Sequence, residues 1–109
     1  MQNAREKENA ENTTLFVVML RYLVSLETIL ALRPAHVDYL QKYFDDGTFL
    51  VSGPQVPRAG GMILARAESR TSLMTILERD PFYTNGVIEY HVYEFLVNKC
   101  APELAQIFK

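Results

Sequence analysis

The sequence predicts an α+β fold in which a four-stranded antiparallel sheet carries two helices in the order β-α-β-β-α-β, and three observations lead there. An apolar run of strand length stands at residues 14–22. Two helix signals follow, one opened by Pro34 and one by Ser69. A Gly/Pro-rich break at 53–61 and an Asn85-Gly86 turn mark off three more short strands.

Each element has its own warrant. From Thr14 to Tyr22, Leu, Phe, Val, Val, Met and Leu run almost without polar relief, which predicts a first strand buried on both faces. Leu26 to Leu32 reads as a short connecting segment, ambiguous between turn and helix. Pro34 then takes the first helical position, and Val37, Leu40 and Phe44, with Tyr43 beside them, form the stripe of a helix stopped by Asp46 and Gly47. Thr48–Ser52 and Gly61–Ala67 are the second and third strands, paired antiparallel across Gly53, Pro54, Pro57 and Gly60. Ser69 stands as an N-cap before Leu73, Ile76 and Leu77, a second helix that Pro81 closes. Val87 to Val97 alternates as the fourth strand, and Pro102 to Lys109 forms a short terminal helix.

That order is the ferredoxin-like pattern, whose right-handed crossovers place both helices on one face of the sheet. The other face stays open. A first strand apolar on both sides therefore predicts a homodimer through the sheet face, two sheets back to back. Residues 1–13, with Arg5, Glu6, Lys7, Glu8 and Glu11 and no apolar run, read as a disordered tail ahead of a single domain at 14–109.

Composition narrows the function. Of 109 residues, 49% are hydrophobic and 11 basic side chains face 13 acidic ones, which suits one soluble core and lacks the cationic stripe of a nucleic-acid or anionic-membrane binder. Arg21, Ser25, Glu27 and Thr28 interrupt the oily stretch from Leu15 to Leu32, so no membrane span is expected. Cys100 is the one cysteine, and no Cys/His spacing fits zinc. A reducing, cytoplasmic setting without a metal or cofactor is the expectation.

The topology gathers the unusual residues at one rim: Arg33, Pro34 and His36 from the first helix, Ser52, Gly53 and Pro54 from the second strand, Gly60 and Gly61 from the third, and Asp80, Pro81 and Phe82 at the end of the second helix. Asp80 is four residues beyond Ile76 and seven beyond Leu73, a core-facing position where a carboxylate requires a partner. His36 or Arg33 can supply it. With His36 in the first helical turn, the helix dipole favours neutral imidazole while a carboxylate favours imidazolium, a balance suited to a general base. Each residue also has a plainer reading, His36 as a surface side chain, Asp80 as a cap on the next turn, and the glycines as hairpin geometry.

Other candidates carry less. His91 shares a strand face with Glu89 and Tyr93, where packing or a dimer contact is expected. Cys100 has only Lys99 beside it and is read as inert. Tyr22, Tyr39, Tyr43, Tyr83, Tyr90 and Tyr93 are candidates for lining an aromatic pocket, or simply pack with hydroxyls at the edge. No phosphate loop, nucleophile elbow or dinucleotide fingerprint occurs.

The segments Arg33-Pro34-Ala35-His36 with Tyr39-Leu40, then Gly47, Ser52-Gly53-Pro54, Gly60-Gly61, Asp80-Pro81-Phe82 and Gly86-Val87 together resemble the YciI-like (YCII-related) family of the dimeric α/β-barrel superfamily, over about Thr14 to Phe95. The resemblance implies a ferredoxin-like protomer, a dimer through the sheets, and a cleft whose acid/base pair is a histidine and an aspartate, here His36 and Asp80.

The expectation is a small-molecule enzyme of isomerase or lyase type, acting without metal or cofactor on a cyclic or aromatic acid or enol. His36 is the base and Asp80 orients and charge-stabilises it. Arg33 holds an anionic group, and Ser52, Gly53, Pro54 and Gly61 bind the substrate. The alternative from another class is a non-catalytic module that binds a metabolite or a protein through the same cleft.

Overall fold

The computed structural model describes residues 14–108, so the expected tail at 1–13 lies outside the described residues. Strand β1 spans Thr14–Tyr22, helix α1 Leu26–Asp45, β2 Phe49–Pro54, β3 Gly60–Arg66, helix α2 Arg70–Leu77, the one-turn helix α3 Pro81–Thr84, and β4 Ile88–Leu96; a 3-10 helix follows at Pro102–Phe108. The sheet order is β2-β3-β1-β4, with every neighbouring pair antiparallel. This is the ferredoxin-like arrangement that the element order predicts. No helix of the described residues is long and apolar enough to cross a membrane.

The first helix corrects the sequence reading. It begins at Leu26, not at Pro34: Ser25 is the N-cap, its hydroxyl accepting the Thr28 N–H at 3.3 Å, and Pro34 lies inside the helix. A proline in a helix interior costs about 3 kcal/mol because it lacks an N–H and crowds the preceding turn. Tertiary packing outweighs that cost. Ile29 and Tyr43 are buried, with Leu32, Tyr39 and Leu40 packed beside them, so one apolar stripe runs straight past the exposed Pro34. Val37, placed by the sequence reading in the buried stripe, is 39% exposed. His36 belongs to the middle of the helix, roughly 15 Å from its start at 1.5 Å per residue, and the dipole argument for it falls. Gly47 ends the connection at φ +83°, the left-handed geometry expected after a helix.

A second correction concerns β1. Phe16, Val18 and Leu20 are buried, while on the opposite face Leu15 is buried, Val17 and Met19 are half-buried and Arg21 is exposed, so within this chain one face is sealed and the other only partly covered. Strand alternation accounts for it, since successive side chains point to opposite faces. The sealed face packs with Ile63 and Ala65 of β3, Ile88 and Val92 of β4, and Ile29, Leu73 and Leu77 of the helices.

Third, Pro81 does not close α2. That helix stops at Leu77 with Glu78 as its cap, and Pro81 instead opens α3 at the position proline favours, with Asp80 as N-cap. The 3-10 helix is tied to β3 by Arg66, whose Nη1 donates to the Ile107 carbonyl at 2.6 Å.

Candidate functional site

Asp80 is the one buried charged residue among the described residues, with no solvent exposure. Such a carboxylate is tolerated only when its oxygens are fully engaged. Oδ1 accepts the Phe82 backbone N–H at 2.9 Å, which is the cap of α3. Oδ2 accepts the Tyr90 hydroxyl at 2.6 Å. His36 Nδ1 lies 2.9 and 3.0 Å from the two oxygens. The cap reading and the histidine-partner reading of Asp80 both describe the molecule.

These contacts define the histidine. Facing an acceptor that is engaged by two other donors, Nδ1 is the donor of the pair, and Nε2 is the nitrogen on the far side of the ring. The ring is stacked on Phe82 with centroids 3.9 Å apart and planes 9° from parallel, and its side chain is 12% exposed. Helix α1 supplies the imidazole, the α2–α3 junction its carboxylate partner, α3 the stacking ring, and β4 the hydroxyl beneath.

Two tyrosines back the pair. Tyr90 follows Ile88 and precedes Val92 on the inward face of β4, and burial, reinforced by the Asp80 charge, raises its pKa, so the phenol stays a neutral donor. Tyr39 donates to the Ile76 carbonyl at 2.7 Å and is held protonated by the same two causes, burial first.

A cavity of roughly 340 Å³ opens in front of the histidine. Leu20, Ile29, Met62, Ile63 and Phe82 give it apolar walls, and Arg33 and Arg58 add positive charge. All the substrate-side residues singled out in the sequence, Arg33, Ser52, Gly53, Pro54 and Gly61, line it together with His36. Asp80 lies behind the imidazole rather than in the wall. Gly60 has a structural duty: a Cβ there would fall 1.8 Å from the Leu20 carbonyl oxygen, whereas one at Gly53 would meet nothing within 4 Å. Of the six tyrosines named as pocket candidates, only Tyr22 lines the cavity.

Sequence reasoning missed Arg58, the stacking role of Phe82 and the hydroxyl of Tyr90. Tyr90 had a signal, since an inward-facing tyrosine needs a hydrogen-bond partner for its hydroxyl. Arg58 had none, because loop composition does not say which way a side chain turns.

The YCII-related domain model matches residues 5–96. The chain belongs to the YCII-related family. Within that family it is 34% identical over 76 residues to Protein YciI of Escherichia coli O6:H1, a match covering 61% of this chain and 78% of that protein. Protein YciI of Shigella flexneri gives the same figures. Among solved structures this YCII-related chain is similar to 5-chloro-2-hydroxyhydroquinone dehydrochlorinase from Burkholderia phenoliruptrix, in complex with 2,5-dihydroxybenzoquinone. The TM-score is 0.63 at 23% identity, over 72% of this chain and 90% of the other, a likeness of fold.

Proposed function

We propose that this YCII-related protein is a small-molecule enzyme of isomerase or lyase type that removes a proton from a cyclic or aromatic acid or enol and returns it elsewhere. One observation carries the reading: the buried Asp80 takes the Nδ1 side of His36, leaving the other ring nitrogen as a base at the wall of an apolar cavity. Asp80 positions the imidazole and stabilises it once protonated, and Arg33 faces the anionic oxygen of the substrate. Proton removal and return balance without an electron acceptor, so the reaction as proposed requires no cofactor.

The test needs no net reaction. A carbon acid bound against a base exchanges hydrogen for deuterium in heavy water, read by proton NMR on a panel of cyclic keto acids and on 2,5-dihydroxybenzoquinone, the ligand of the structural neighbour. Wild-type protein is expected to catalyse exchange on at least one member and His36→Ala to abolish it with the fold retained. Exchange that survives in His36→Ala overturns the reading; binding without exchange supports a metabolite-binding module instead.

We also propose that two copies pair through their sheet faces. Tyr93 and Phe95 are 56% and 46% exposed there, opposite the half-buried Val17 and beside Leu15. Light scattering should give twice the chain mass, and Tyr93→Lys should lower it; a monomeric wild type would refute the pairing. The exposed, unpaired Cys100 suits a reducing compartment, the basis for proposing a cytoplasmic setting.

A further inference from the structure

Four of the six arginines among the described residues are occupied. Arg21 reaches Glu89 at 3.2 Å, Arg66 donates to the Gly47 and Ile107 carbonyls, Arg70 to the Val92 carbonyl, and Arg79 to the Tyr43 hydroxyl. Arg33 and Arg58 have no hydrogen-bond or ion-pair partner among the described residues, and both line the cavity. Among the described residues, no carboxylate lines it with them. The buried acid, Asp80, is sealed behind His36 with its oxygens taken by three donors. A chain of net charge −2 thus concentrates two uncompensated guanidinium groups at one hollow.

The backbone of the loop that carries the second of these groups is held in place. Arg58 belongs to the loop between β2 and β3, and the Gln55 N–H donates to the Gly60 carbonyl at 2.9 Å, closing the loop base. The Ala59 N–H donates to the Pro57 carbonyl at 2.9 Å, and the Tyr22 N–H donates to the Ala59 carbonyl at 3.1 Å, fastening the loop to β1. Arg33 comes from α1, a separate element, so the two cations approach a ligand from different parts of the fold.

We infer that the substrate is a ring-sized keto carboxylate whose carbonyl oxygen becomes anionic in the reaction, with Arg58 as the specificity residue that joins Arg33 in binding the two negative charges of the intermediate. The inference deepens the acid/base reading and rests on it for the chemical step alone. When His36 takes a proton from carbon beside a carbonyl, the C–H electron pair becomes a C=C bond and the carbonyl π pair moves onto oxygen. The intermediate then carries a permanent carboxylate and a new oxyanion, one for each guanidinium, and the proton returns from the imidazole to a second carbon. A cavity of about 340 Å³ is at the small end for ligand sites and suits a single substituted ring.

Binding of benzamide, benzoate and phthalate to the full chain, followed by calorimetry at one ionic strength, tests it with charges of zero, one and two on the same ring. Charge-assisted hydrogen bonds predict benzoate roughly tenfold tighter than benzamide and phthalate about tenfold tighter again. Arg58→Gln and Arg33→Gln are each expected to remove one step of that ladder, leaving benzamide unchanged, and the double variant to level it. Benzamide binding as tightly as benzoate, phthalate indifferent to Arg58→Gln, or no binding by any of the three overturns the inference. An intact ladder with no deuterium exchange would refute only the acid/base reading, and exchange without a ladder only this one.

Discussion

The protein holds two histidine–carboxylate pairs at nearly the same separation, 2.9 Å for His36–Asp80 and 2.7 Å for His91–Glu89, and their surroundings differ entirely. The first has side chains 12% and 0% exposed and sits between helices and sheet with Tyr90 and the Phe82 N–H on the same carboxylate. The second, 44% and 39% exposed on the open sheet face, shares its carboxylate with Arg21. Hydrogen bonding to His91, then to Arg21, draws the Glu89 pKa down, but water screens the pair. Distance therefore does not distinguish a candidate site from a surface contact. Desolvation, extra donors and an adjoining cavity do.

The largest expected effect comes from removing the buried acid. Asp80→Ala strands three donors away from water and should cost about 3 to 5 kcal/mol, measured by denaturant unfolding. A loss below about 1 kcal/mol would show that the buried pair is no more integral to the fold than the surface one. Next comes Tyr90→Phe, which deletes one hydrogen bond to a charged group at a cost of about 1.5 to 3 kcal/mol. Because folding raises the Tyr90 pKa above its ordinary 10.0, its contribution is complete below that pH and is lost as the solution becomes more alkaline. Unfolding followed from pH 8 to 11 should show a shallower decline in Tyr90→Phe than in wild type; equal slopes would count against a neutral buried donor.

The smallest effect is reserved for the exposed pair. Glu89→Gln should leave the unfolding midpoint at pH 7 unchanged within error, since a surface ion pair has little to lose. Its depressed pKa makes its share present above the ordinary carboxylate range and lost on acidification, so wild type and variant should converge further at low pH. A large destabilisation at neutral pH would mean that this face is covered in solution, which would sharpen the case for sheet pairing.

How much of this was legible in the residues depended on scale. Strand order and the two longer helices followed from alternation, turn residues and caps, because each is a local property, whereas the short helix opened by Pro81 did not. The start of α1 was not legible: Pro34 is a strong local signal for a first helical position, and only the buried stripe from Ile29 to Tyr43, a tertiary fact, overrides it. Asp80 was legible as a partner-seeking acid because its spacing from Leu73 and Ile76 aimed it inward. Tyr90 under that acid and Arg58 over the cavity were not, since their roles exist only after β4 and the β2–β3 loop have docked.

One carboxylate serves both to open a helical turn and to anchor the imidazole. On the proposed acid/base reading, a lineage of this protein can shed its chemistry by changing residue 36 and keep a sound scaffold, but drift at residue 80 discards the proposed catalyst and the scaffold together. Descendants that have lost the activity are therefore expected to retain the aspartate long after the histidine is gone.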